Sequence, residues 1–284
     1  MIAITGATGQ LGRLVIDALL KSQKPATLIA LVRDPAKARD LVAKGIAVRA
    51  ADYNEPDTLH SALTGVERLL LISSSEVGQR RAQHRAVIEA ARSAGVKLLA
   101  YTSLLHADTS TLGLASEHRD TEQALAESGL PHVILRNGWY NENYTASVAP
   151  AVEHGAILGS ARDGRISSAA RADYAEAAAA VLTRDDQAGK VYELAGDDSY
   201  TLAELAAEVA QQSGKAVVYN DLPQAQYQEA LVSVGLPVEL AAMLADSDAC
   251  AAKGDLYDNS RQLSQLLGHP TTPIAQSVSA ALKH

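Results

Sequence analysis

Three glycines, Gly6, Gly9 and Gly12, follow directly on the short apolar run Ile2-Ala3-Ile4, and an apolar pattern of helical period comes after them. A strand that turns tightly into a helix at this spacing leaves backbone N–H groups at a helix N-terminus, facing any anion that sits there. Gly6 permits the turn, Gly9 lets a phosphate approach the main chain, and Gly12 lets the helix lie close on the strand. Such a triplet is common. Here it occupies the first strand of the chain and has the strand–turn–helix context a dinucleotide pyrophosphate needs. An ordinary glycine-rich βα turn is the competing reading.

The rest of the first half continues the same rhythm. Apolar, β-branched or Leu-rich runs at 1–5, 28–32, 46–50, 68–72, 97–101 and 132–136 alternate with helical patterns near 10–21, 35–44, 55–63, 79–94 and 117–128. This alternation predicts a parallel sheet with helices on both faces, a Rossmann-type doubly wound α/β fold. Beyond about residue 137 the rhythm breaks. Strands are expected at 156–158, 190–195 and 216–219. Helices are expected at 172–183, 201–213, 223–234 and 237–245, the second opened by a Thr201/Glu204 capping box. The expected division is a dinucleotide-binding domain over 1–137, with later segments contributing to it, and a smaller α+β substrate-binding part over 138–284.

Composition excludes several classes. The formal net charge of −8 over 284 residues gives no basic surface for nucleic acid. Cys250 is the single cysteine, and no Cys/His cluster has metal spacing, so no disulfide and no metal are expected. No apolar run approaches transmembrane length, and no basic segment precedes the first strand. A cytoplasmic monomer or homodimer, off the membrane, is the expectation.

The ends of the strands carry the polar residues, where ligands of open α/β sheets bind. Arg33 ends strand two, with Lys37 one turn beyond. A cation there pairs with the 2′-phosphate of NADP, whereas an acid there hydrogen-bonds the ribose of NAD. Asp34 either opposes that phosphate or caps the helix starting at Pro35. Asp52-Tyr53 either touches an adenine or caps its loop. Ser73-Ser74-Ser75 after strand four suits close approach of a sugar and phosphate, or forms a polar turn. Thr102-Ser103 and Arg136-Asn137-Gly138 end the next two strands, the latter placed to meet a nicotinamide.

Together these residues resemble the NmrA-like branch of the atypical short-chain dehydrogenase/reductases. The likeness runs from the glycine triplet through Val32-Arg33-Asp34-Pro35, Tyr101-Thr102-Ser103, Leu135-Arg136-Asn137-Gly138 and Arg171-Ala172-Asp173-Tyr174 to Leu267-Gly268-His269-Pro270. The stretches 70–80 and 136–140 are the more specific, and resemble its quinone-oxidoreductase and triphenylmethane-reductase members alike. The resemblance implies NADP held by Gly6, Ala7, Thr8, Gly9, Gln10 and Leu11, by Arg33, by residues 73–75, along Asn137, Gly138, Trp139, Tyr140, Asn141 and Glu142, and near Ala169. Asp34 stands where the family pattern has Asn, which keeps NAD open as the cofactor.

The Tyr-x-x-x-Lys acid of classical short-chain dehydrogenases is missing from the helix after strand five, which reads Glu117-His118-Arg119-Asp120-Thr121-Glu122. His118 and Glu122 are four apart, either a proton shuttle or a structural pair. A ketone needs a proton at a strongly basic oxygen, whereas a quinone or a triarylmethyl cation needs little or none. The expectation is therefore a hydride-transferring reductase of quinones or similar flat electrophiles. The alternative is a non-catalytic NAD(P)-binding regulator. Trp139, Tyr140, Asn143 and Tyr144 would form the acceptor's slot by stacking, unless Trp139 and the tyrosines are packing residues.

Overall fold

The strand expected first is β1 (Ile2–Ile4), and it lies in the middle of a seven-stranded sheet. A computed structural model describes residues 1–283. The first stretch of chain supplies β2 (Leu28–Val32), β3 (Ala47–Ala50), β4 (Arg68–Leu71), β5 (Leu98–Leu104) and β6 (His132–Asn137). Between them lie α1 (Gln10–Leu20), α2 (Arg39–Ala43), α3 (Pro56–Ala62), α4 (Arg80–Ser93) and α5 (Ala115–Ser128). The expected helix over 35–44 is a 3₁₀ turn, Pro35–Ala38, followed by the short α2.

The remainder gives α6 (Asn141–Thr145), α7 (Val148–His154), β7 (Ala156–Gly159), α8 (Arg171–Thr183), β8 (Val191–Leu194), α9 (Leu202–Ser213) and β9 (Val218–Asp221). It ends in α10 (Gln224–Ser233), α11 (Val238–Ala251), α12 (Gln262–Leu267) and α13 (Ile274–Ala281).

The sheet order is β3-β2-β1-β4-β5-β6-β8, and every registered pair from β3 to β6 is parallel. Ile134 N–H donates to Lys190 O and Gly138 N–H to Leu194 O, a constant offset that makes β8 parallel too. All five residues of β2 and all seven of β5 are buried, as strands covered on both faces must be. On one face Ala3, Ile29, Leu31, Leu69, Leu71, Leu99 and Tyr101 pack in one apolar cluster with Leu59, Val87, Ile88 and Leu125 of α3, α4 and α5. Burial of each Leu, Ile or Val side chain among them contributes roughly 1.5–3 kcal/mol. The strand order reverses between β1 and β4, so the loops after these two strands open side by side at the sheet's carboxyl edge.

Two compact units divide the chain. The first is Met1–Ala107, Ser116–Asn137 and Ala172–Tyr192; the second is Asp108–Ala115, Gly138–Arg171 and Glu193–His284. Most of α8 therefore belongs to the first unit, where its run of buried alanines (175, 177, 178 and 179) removes side-chain bulk. The second unit contains the parallel pair β7–β9 and a capping box on α9, where Thr201 accepts from Glu204 N–H and Glu204 answers to Thr201 N–H.

Candidate functional site

The glycine turn after β1 is built as the spacing predicts. Gly6 has φ +57°, in the left-handed region, and Gly9 N–H donates to Gly6 O at 2.9 Å. A Cβ on Gly12 would lie 2.4 Å from Gly6 O and 2.8 Å from Ala7 Cα, so only hydrogen fits between α1 and the turn. No side chain caps α1 and no acid lies in its first turn. The positive end of an eleven-residue helix is thus left to an external anion. Arg13 braces the turn from α1, donating to Thr8 O at 3.2 Å and to Lys37 O at 3.1 Å while pairing with Asp40.

Above this turn opens a cavity of about 580 Å³, within the range of small-molecule sites. It brings together Gly6, Thr8, Gly9, Gln10, Leu11, Gly12, Arg33, Asp52, Tyr53, Ser73, Ser74 and Ser75, with Ala7 buried beneath. Asp34, Lys37, Glu76 and Gln83 also line it. Asp34 Oδ1 accepts from Ala36 N–H at 2.9 Å, so it caps the turn at Pro35. Asp52 likewise caps its loop, Oδ1 accepting from Asn54 N–H at 2.9 Å. The Tyr53 hydroxyl donates to Ile72 O at 3.0 Å, and burial keeps it protonated by raising its pKa.

The serine loop is held from below by Thr102 of β5 and by His84 and Arg80 of α4. Ser73 N–H donates to Thr102 Oγ1 at 2.9 Å, and Ser74 N–H donates to His84 Nε2 at 2.9 Å. His84 Nε2 is therefore the unprotonated nitrogen. Nδ1–H donates to Thr121 Oγ1 at 2.9 Å, and that hydroxyl donates to Glu117 O at 3.0 Å. Arg80 Nε donates to Ser74 O at 2.5 Å, and Gly78 N–H donates to Glu117 Oε1 at 2.8 Å. Burial first, and then the Arg80 charge, depresses His84 to about 3, so the imidazole is neutral.

The proposed His118–Glu122 pair does not form. His118 Nδ1 shares a hydrogen bond of 2.8 Å with the Tyr101 hydroxyl, and burial, followed by Arg80 and His84, lowers its pKa to about 3. Glu122 turns to β5 and β6 instead. Its Oε1 accepts from Ser103 Oγ at 2.6 Å and Arg136 Nε at 3.0 Å, and its Oε2 from Arg136 Nη2 at 2.8 Å. The buried guanidinium is a stronger partner than a neutral imidazole. Ser103 is thereby occupied within the first unit. Asn137 is buried at the end of β6 with Oδ1 lacking any protein partner.

The remaining expected residues lie in the second unit. Asn141 is wholly buried, its Nδ2 donating to Thr272 O and Ser277 Oγ and its Oδ1 accepting from Ser168 Oγ, so its amide is an organiser of this unit. The Ala169 main chain bonds both neighbours of Tyr140: its N–H donates to Trp139 O and its O accepts from Asn141 N–H. Gly138 and Trp139 are buried, the latter consistent with packing. Tyr140 carries Arg171 over its ring at 4.6 Å, Glu142 accepts from Arg171 N–H, and Asn143 is exposed. The Tyr144 ring meets Tyr200 edge-on at 6.2 Å, and its buried hydroxyl has no hydrogen-bond partner.

A left-handed Gly6, a Gly12 that tolerates no Cβ, an uncapped α1 and a polar cleft at the sheet's reversal point fit a dinucleotide. Gln83, whose buried Oε1 has no hydrogen-bond partner, also lines that cleft. These features define a Rossmann-type nucleotide-binding protein. Residues 6–185 match the NAD(P)H-binding family, and the chain belongs to it. It is similar to quinone oxidoreductase 2 of Escherichia coli (strain K12), 62% identical over 279 residues, 98% of each chain. The structure resembles that of the NADPH-dependent quinone oxidoreductase QOR2 from E. coli complexed with NADPH, with a TM-score of 0.98 and 61% identity, covering 99% of this chain and 100% of the other. It also resembles Citrobacter sp. triphenylmethane reductase complexed with NADP(H), with a TM-score of 0.96 and 38% identity over the same shares. Among the described residues no helix is long and apolar enough to cross a membrane.

Proposed function

We infer that this chain is an NAD(P)H-dependent reductase that passes a hydride to a quinone or a comparable flat electrophile such as a triphenylmethane dye, with NADPH the preferred donor. The carrying observation is the 62% identity to a quinone oxidoreductase across 98% of both chains. That extent of likeness speaks against the alternative of a regulator without turnover. The dihydronicotinamide, when bound, supplies the hydride. The chain's own contribution is placement. The α1 N-terminus and the glycine turn would receive the pyrophosphate, Arg33 and Lys37 the 2′-phosphate, and Ser73–Ser75 and Tyr53 the adenosine side. Asn137, with its buried and unpartnered acceptor, and the main chain of 138–142 with Ala169 would meet the nicotinamide end. Tyr140, Asn143 and Tyr144 are the proposed acceptor contacts. Trp139 supports them from a packed position.

No group near β5 and α5 is offered as an acid, because His118 and Glu122 both have internal partners. This suits an acceptor whose reduced form takes its proton from water. A single buried cysteine and a nicotinamide donor accord with a cytoplasmic setting. The test is oxidation of NADPH, followed at its absorbance band, with a panel of quinones and one triarylmethyl dye, against NADH. Turnover with quinones, faster with NADPH, is expected. Tight NADP binding with no oxidation above background for any acceptor would overturn the reading.

A further inference from the structure

Arg33 is not idle in the cleft. Its Nη1 donates to Glu76 Oε1 at 2.6 Å. Glu76 lies on the loop after β4, and both side chains line the cavity. The carboxylate is anchored from its other side, since Gln83 Nε2 donates to Glu76 Oε2 at 2.7 Å. Gln83 is only 2% exposed, and the same Nε2 donates to Asn54 Oδ1 at 3.2 Å. Two oxygen acceptors on one nitrogen fix the amide's orientation, because the flipped amide would oppose oxygen to oxygen. The Glu76 N–H is also tied, to Ser74 Oγ at 3.1 Å. Asp34, the acid next to Arg33 in sequence, has Oδ1 on Ala36 N–H. Glu76 is therefore the acid that engages Arg33, held in place by a buried amide.

We propose that Glu76 sets the discrimination between NADPH and NADH, by holding a fixed negative charge on the cation that would receive the 2′-phosphate. This rests on the dinucleotide reading of the cleft. A 2′-phosphate must draw Arg33 from Glu76 and then sit beside an anchored carboxylate, whereas the 2′-hydroxyl of NADH meets neither demand. The ion pair itself is exposed and easily exchanged. The lasting effect is repulsion between carboxylate and phosphate, which restrains NADPH affinity and leaves NADH usable. Glu76→Gln removes the charge while keeping an acceptor for Gln83.

The test measures binding of NADPH and NADH to the full chain by nucleotide fluorescence, with NADP⁺ and NAD⁺ as competitors, so it does not depend on turnover. Glu76→Gln is expected to tighten NADPH by about tenfold at low salt, the scale of a unit charge beside a phosphate in water. NADH should stay within about twofold, the gain should shrink in 0.5 M salt, and Arg33→Ala in the same background should remove most of it. Glu76→Ser, which also lacks the charge, must move in the same direction, and a thermal melt confirms that both variants fold. Equal changes for both nucleotides would reduce Glu76 to a loop support and overturn the proposal. So would no change, or a loss of NADPH affinity. Failure of the unsubstituted chain to bind either nucleotide would instead overturn the dinucleotide reading, and this inference with it.

Discussion

Two neutral histidines buried behind the serine loop make a quantitative claim about acid stability. His84 is fully buried and His118 nearly so, and both have pKa values near 3 against 6.5 in the unfolded chain. A histidine whose folded pKa is depressed binds protons better when unfolded, so its term is absent above about pH 6.5 and destabilises as pH falls toward the folded value. Between pH 8 and pH 4.5 the linkage relation gives about 2.7 kcal/mol per histidine, roughly 5 for both. Asp248 acts in the opposite sense. Burial raises its carboxyl from 3.8 to about 6, so its penalty is relieved on acidification, by about 2 kcal/mol over the same interval. The slope of the unsubstituted protein therefore mixes terms, and the diagnostic quantity is the difference between variants. His84→Gln and His118→Gln keep an acceptor for Ser74 N–H and a partner for the Tyr101 hydroxyl without a titrating proton. Denaturant unfolding at pH 4.5, 5.5, 6.5 and 7.5 provides the assay. Each variant should be less stable than the parent at pH 7.5, and the gap should close by about 2–3 kcal/mol per site at pH 4.5. A gap constant to within about 0.5 kcal/mol across that range would refute the claim that these imidazoles are held neutral.

Gly12→Ala places Cβ against the backbone of Gly6 and Ala7, which cannot rotate away, so a loss of about 1–3 kcal/mol in melting and at least tenfold in nucleotide affinity is expected. Gly9→Ala, with Cβ 3.1 Å from Gly6 O, should be the milder of the two in the same melts. Glu122→Leu strands the buried Arg136 charge and should destabilise by about 3–5 kcal/mol in denaturant titration, with Glu122→Gln intermediate. Arg33→Ala should weaken NADPH by about 1–3 kcal/mol in fluorescence titration while NADH changes little; equal losses would remove Arg33 from the 2′-phosphate.

The alternation of strands and helices in the first half is legible because apolar runs and helical stretches recur there in regular order, so even short elements such as β1 and α3 are placed by their neighbours, and each glycine of the first turn has a steric reason visible in the spacing. The placement of β8 was not. A strand was expected near 190–195, but nothing local says that it joins the main sheet beside β6, a pairing fixed by contacts some sixty residues apart. The helices α6, α7, α12 and α13 are not among the expected elements: none exceeds eight residues, and outside the regular alternation of the first half no neighbouring strand marks where so short a helix falls. Helix α11 runs past the expected residue 245 to Ala251, with Ser247 and Asp248 buried within it.

The more telling omission lies on α4. Its buried stripe reads Arg80, Gln83, His84, Val87, Ile88, Ala90 and Ala91, a single face at helical spacing that begins polar and ends apolar. Periodicity alone scores such a stripe as a weak amphipathic helix. Physically, polar groups on an inward face must be matched with partners, and these three are matched to the loop that lines the cleft: Arg80 to Ser74 O, His84 to Ser74 N–H, and Gln83 to Glu76. A helix stripe that changes from apolar to polar toward the sheet's carboxyl edge thus marks the structural support of a ligand loop, and the sequence carried that signal. The same accounting explains the unfilled place of the catalytic acid. His118, Glu122 and Ser103 face inward on β5 and α5, and each is bound to a structural partner. The polar groups of α4 go into fixing the loop of the cleft and those of α5 into fixing β5 and β6, so the chain's contribution is placement, which is what hydride transfer to easily reduced acceptors requires of it.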